Sequence, residues 1–71
     1  MIPSMSPRRL NTIVQDLRTK KDISQRELAK KAGVSVAYIA HLETGFRTNP
    51  SLAVLKRLAK ALQVPVADLL E

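Results

Sequence analysis

Eight of the chain's twelve Lys and Arg residues fall within the first 31 positions (Arg8, Arg9, Arg18, Lys20, Lys21, Arg26, Lys30, Lys31), against only three acids there, Asp16, Asp22 and Glu27. The whole chain carries a formal charge of +6. So lopsided a distribution of cations attracts a polyanion, and nucleic acid fits better than a membrane surface because no Trp or Phe studs a basic amphipathic helix. The lone histidine, His41, has no companion set of ligands or base partners, so neither a metal site nor general-base chemistry is expected from it. Paired carboxylates, a nucleophile-base pair and a glycine-rich phosphate loop are also missing from the pattern, which argues against an enzyme. No cofactor is implied.

The elements that must hold these charges are short helices. At 71 residues the chain makes one small domain, and its 45% hydrophobic content with only 3% aromatic residues implies a core of Leu, Ile, Val and Ala. With no cysteine, disulfides and thiolate metal sites are excluded, and a reducing cytoplasm is the expected compartment. No apolar run approaches the roughly 20 residues of a membrane span.

Residues 1–5 are expected to form a disordered tail, with residues 6–71 as the single folded domain; the native start is left open between Met1 and Met5. Ser6-Pro7 reads as a cap with proline in the first helical position, opening a helix from Pro7 to about Thr19. Its apolar stripe is Leu10, Ile13, Val14 and Leu17, with Asn11 and Arg18 outward. Ser24 followed by Glu27 is a capping box, so a second helix starts at Gln25, with Leu28, Ala29 and Ala32 on its inner face. Gly33 ends it by taking the left-handed conformation, and Ile23 and Val34 flank it as apolar anchors.

Ser35 is placed to cap a third helix, in which Ile39 and Leu42 face inward, flanked by Tyr38, and which Gly45 closes. Val36, Ala37, Ala40, His41 and Thr44 then share the opposite face. Glu43 is expected to pair with an Arg or Lys of a neighbouring helix. After the polar loop 46–49 and Pro50, a fourth helix from Ser51 to Leu62 carries Leu52, Leu55, Leu58, Ala59 and Leu62 at helical spacing. A short fifth helix, Val66 to about Leu70, follows Pro65. Its apolar residues exceed what one small core needs, which points to a second subunit.

Two helices joined by a tight turn at Gly33, with small Ala29 allowing close approach, is helix-turn-helix geometry. The chain from Leu10 to Leu70 resembles the phage-repressor-like helix-turn-helix family, the lambda and 434 repressor and Cro type, also called XRE. The resemblance rests on Ser24-Gln25-x-Glu27-Leu28-Ala29, Gly33-Val34-Ser35, Ile39-x-x-Leu42-Glu43-x-Gly45, Asn49-Pro50-Ser51 and Leu55-x-x-Leu58-Ala59-x-Ala61-Leu62. It implies an all-α, compact five-helix DNA-binding domain acting as a transcriptional regulator, most naturally a repressor. A homodimer would place the third helix of each subunit in a major groove of a near-palindromic operator, with half-sites about 34 Å apart.

By position, the resemblance gives base reading to Ser35, Val36, Ala37 and His41. It gives contacts to the DNA backbone to Gln25, Arg18, Lys20, Tyr38, Thr44, Arg47, Thr48 and Asn49. Arg18 and Lys20 also fit as partners of a helix C-terminus, and Gln25 stands at the positive end of the second helix, where a phosphate is favoured. The chain departs from many relatives in having Val36 and Ala37 where polar readers stand, which shifts direct reading toward thymine methyls and DNA shape. Two other readings stay open: the antitoxin of a toxin-antitoxin pair that regulates its own operon, and a protein-interaction module that has lost DNA binding.

Overall fold

The computed structural model describes residues 10–45 and 50–70. Within them are four α-helices, α1 (Leu10–Lys20), α2 (Gln25–Ala32), α3 (Val36–Thr44) and α4 (Leu52–Leu62), then a 3₁₀ turn, Val66–Leu69, and no strand. The expected Ser6-Pro7 cap and the 46–49 loop lie outside the described residues.

Each α-helix start that can be assigned follows a serine. Ser24 Oγ accepts from the Glu27 amide at 3.0 Å while Glu27 Oε1 accepts from the Ser24 amide at 3.0 Å, so the capping box is complete. The same backbone hydrogen bond from Ser24 is the main reason the Glu27 carboxyl is held below its ordinary pKa. Ser35 Oγ accepts from Tyr38 N at 3.0 Å and Ser51 Oγ from Val54 N at 3.2 Å. These bonds satisfy amides that a helix start leaves without an intrahelical partner.

Three helices end by one device. At the end of α1, Ile23 N donates to Arg18 O and Asp22 N to Thr19 O; at the end of α2, Val34 N donates to Ala29 O and Gly33 N to Lys30 O; at the end of α4, Val64 N donates to Ala59 O and Gln63 N to Lys60 O. This is the Schellman pair of bonds around one left-handed residue. In each case the apolar residue just beyond it, Ile23, Val34 or Val64, packs against the core. Gly33 adopts its φ of +72° at no steric cost, whereas Asp22 at +58° and Gln63 at +59° adopt it with a side chain attached. Gln63→Gly is therefore expected to stabilise the domain by about 0.5–1 kcal/mol, less than the full left-handed penalty because glycine also loosens the unfolded chain. Chemical denaturation reads this directly, and an unchanged or lower midpoint would show that the Gln63 side chain contributes more than its strain costs.

The core is aliphatic. Val14, Leu28, Ile39, Leu42, Leu58 and Leu62 are fully enclosed, joined by Ile13, Ala29, Ala32, Leu55, Ala59, Ala61 and Leu69. Thus α2 packs on both α3 and α4, α1 on α3, and the 3₁₀ turn closes over α4 and α1. Buried Ala29 lies on the α2 face expected to let α3 approach.

Four expectations are corrected. The fifth helix is a single 3₁₀ turn, since four residues after Pro65 are too few to set up repeating i to i−4 bonds. The first helix continues to Lys20. Leu52, read as part of the inner stripe of the fourth helix, is 56% exposed, since it is the first residue of α4, one turn short of Leu55, where the helix enters the core. Asn11 is half-buried rather than outward, and its Nδ2 donates to Glu43 O at 3.4 Å.

Candidate nucleic-acid interface

α2 and α3 meet through the turn at Gly33, and a single carboxylate fixes them to α1. Glu43, near the end of α3, is buried and accepts from Arg18 Nε at 2.6 Å, Arg18 Nη2 at 3.0 Å and Gln25 Nε2 at 3.0 Å. Arg18 also donates from Nη1 to Ile23 O at 2.8 Å. One side chain thus joins the end of α1, the start of α2 and the end of α3. The side chains are 13% accessible for Arg18 and 3% for Glu43, so the pair sits largely out of water and its geometry is the bidentate one that guanidinium and carboxylate favour. The hydrogen bond to Glu43 raises the Arg18 pKa above its ordinary value, against the opposing effect of burial.

This arrangement bears on two residues of the expected DNA-backbone set. Arg18, expected on the outer face, is half-buried and directed at Glu43. Gln25 donates one side-chain amide N–H to Glu43, so a phosphate at the start of α2 would meet the second N–H of that amide and the free end of the helix. Lys20 is exposed. Arg47, Thr48 and Asn49 lie outside the described residues.

The base-reading set divides by exposure. Ala37 and His41 are exposed on α3, and Ser35 is exposed as its cap. Val36 is half-buried and packs against the core, yet Ile39 and Leu42 remain fully enclosed. The first turn of α3 lies low enough on the domain for Val36 to share both environments, which the two-face division of the helix does not capture. Tyr38 is half-buried beside the core, Ala40 is half-buried, and Thr44 is exposed. Thr44 Oγ1 donates back to His41 O at 3.0 Å.

The face that results is short of polar readers. The helix Val-Ala-Tyr-Ile-Ala-His-Leu-Glu-Thr contains no Asn, Gln, Lys or Arg. The cations are carried by the neighbouring elements instead: Lys20 at the end of α1, Lys21 just beyond it, and Arg26, Lys30 and Lys31 on α2, all exposed. A separate open groove of about 410 Å³, lined by Lys31, Arg57, Lys60, Ala61 and Gln63, lies at the end of α2 away from Gln25. Among the described residues no cluster of His, Cys, Asp or Glu is suited to a metal ion, and no helix is long and apolar enough to cross a membrane.

Sequence reading missed the Gln25–Glu43 and Asn11–Glu43 contacts. Both span long stretches of chain, and no local spacing signals them. The only available hint was a carboxylate placed one turn after Ile39 on the inner side of an apolar helix, which requires donors from elsewhere.

An interlocked pair of short helices, with the outer side of the second exposed, defines a helix-turn-helix protein. The chain belongs to the XRE-type helix-turn-helix family, whose helix-turn-helix model matches residues 14–69. It is 38% identical over 58 residues to the HTH-type transcriptional regulator SinR of Bacillus subtilis, covering 82% of this chain and 52% of SinR. Among solved structures it is similar to a crystal structure of SinR, the master regulator for biofilm formation, in complex with DNA. That likeness has a TM-score of 0.83 and 35% identity, covering 87% of this chain and 98% of that one. It is also similar to the restriction-modification controller protein C.AhdI from Aeromonas hydrophila, with a TM-score of 0.80 and 35% identity over 84% of this chain and 89% of the other. The chain spans about half the length of the SinR protein it matches.

Proposed function

We propose that this chain is a sequence-specific, double-stranded DNA-binding transcriptional regulator, a cytoplasmic repressor that inserts α3 in the major groove. The observation that carries this reading is the likeness to SinR solved in complex with DNA, which extends over 98% of that chain. Ser35, Val36, Ala37 and His41 form the base-reading edge, with Val36 contributing only the part of its surface that the core leaves open. Gln25, Lys20, Tyr38, Thr44, Arg47, Thr48 and Asn49 contact the backbone and fix register without reading sequence. Arg18 acts on the backbone chiefly by holding Glu43, and through it Gln25. Of the apolar residues expected to face a second subunit, Leu69 is buried and Val66 packs against the core, which leaves exposed Leu70 to support a two-fold dimer on a near-palindromic operator.

The test is selection of duplexes from a random pool, followed by binding isotherms over a range of salt. Each phosphate contact releases counterions, so log K is expected to fall with log salt at a slope of about −0.9 per contact. Absence of saturable binding to any enriched sequence at low salt would overturn the proposal.

A further inference from the structure

The chemistry of the exposed side of α3 specifies more than a binding face. Ala37 is exposed, and Val36 and Ala40 are partly so, which places aliphatic groups on successive turns of the outer side. Of the hydroxyls at the two ends of the helix, Thr44 gives its proton to His41 O, while Ser35 Oγ accepts from Tyr38 N and keeps its own proton to donate. No Asn, Gln, Arg or Lys side chain is present on the helix to make the bidentate contacts that distinguish adenine or guanine. In the major groove the apolar feature of an unmodified base pair is the C5-methyl group of thymine. A 5-methylcytosine presents the same methyl at the same ring position. It differs in carrying an amino donor where thymine has an oxygen acceptor. The side chains of Ala37 and Ala40 have no donor or acceptor with which to tell those two apart, and the polar side chains of the face, Ser35 and His41, stand at other positions of the helix.

We propose that α3 recognises the C5-methyl group itself, whichever pyrimidine carries it, so that cytosine methylation at groove-facing positions of the operator strengthens binding. The inference rests on the proposed DNA-binding function and assigns the ligand chemistry of its base-reading site.

The experiment uses the 71-residue chain and the duplex it enriches from a random pool, with affinity measured by fluorescence anisotropy at fixed salt. Thymines are replaced one at a time by deoxyuridine, which removes only the methyl. At contacted positions affinity is expected to fall about four-fold, the equivalent of about 0.8 kcal/mol for one buried methyl. The same T·A pairs are then changed to C·G with cytosine or with 5-methylcytosine. Cytosine is expected to weaken binding, and 5-methylcytosine to recover most of the loss. Selective binding that is indifferent to deoxyuridine at every position overturns the inference and leaves the proposed function standing. Sensitivity to deoxyuridine without recovery by 5-methylcytosine also overturns it, because the oxygen edge of thymine is then being read. Failure to bind the enriched duplex selectively overturns the proposed function instead.

Discussion

Glu43→Ala is expected to lower the stability of the domain by about 3 kcal/mol, the low end of the range for breaking a buried ion pair by removing one partner. The charge of Arg18 remains, with its side chain only 13% accessible, and the amide of Gln25 loses the acceptor it meets at 3.0 Å. For a domain this small each kcal/mol shifts Tm by about 4–8 °C, so a fall of about 12–24 °C should be seen in thermal unfolding followed by circular dichroism. Glu43→Gln should fall between the parent and Glu43→Ala, since a carbonyl oxygen still accepts from Arg18 but without its charge. The double variant Arg18→Met/Glu43→Met should regain much of the loss, because the cost comes from an uncompensated charge rather than from the absence of an ion pair as such. A drop below about 1 kcal/mol for Glu43→Ala would mean that Arg18 swings out to water at little expense, and that the carboxylate does not hold the three helices together.

Ala37→Glu has the second large effect, and it falls on binding rather than folding. Ala37 is exposed in the first turn of α3, where an acidic side chain is compatible with the helix and even favoured by the positive end of its dipole. The fold and Tm should therefore be retained. In the groove the carboxylate would face phosphates and base acceptors, and like-charge juxtaposition of this kind costs several kcal/mol, so affinity for operator DNA should fall by about 100-fold or more. Titration of the parent and variant against the same duplex reads this difference. Equal affinities would show that α3 does not meet DNA through Ala37.

What was legible in the sequence follows the range of the interactions. Ser24, Glu27, Gly33, Ser35, Gly45 and Ser51 act on backbone groups within a few residues of themselves, and each marks a helix boundary where expected. The inward positions Leu28, Ala29, Ala32, Ile39 and Leu42 follow from helical period alone, and all are buried. The fourth helix stops at Leu62 as expected, but the left-handed conformations of Asp22 and Gln63 were not legible, because they are imposed by the Schellman bonds and by the docking of Ile23 and Val64 rather than by the residues' own preferences. The 3₁₀ form of Val66–Leu69 was likewise hidden, since four residues carry too little pattern to separate it from an α-turn. At the candidate site, the charge of Glu43 demanded a basic partner and Arg18 supplies it. The choice of Arg18, and the addition of Gln25, depend on how three helices meet in space. Val36 resists assignment to one face because a helix lying close to its core has residues at the boundary between the two.

The carboxylate that ties the ends of α1 and α3 to the start of α2 also sets how the domain meets a partner. α3 cannot tilt or slide alone without giving up its bonds to Arg18 and Gln25, so its pose is fixed before any encounter. A preorganised reader of this kind loses little conformational entropy on association. It also has little capacity to accommodate a poorly shaped groove, so the cost of mutual fit is carried by the duplex. If α3 enters the major groove as proposed, sequences that bend or widen cheaply at flexible pyrimidine-purine steps are expected to be favoured at positions the protein does not touch.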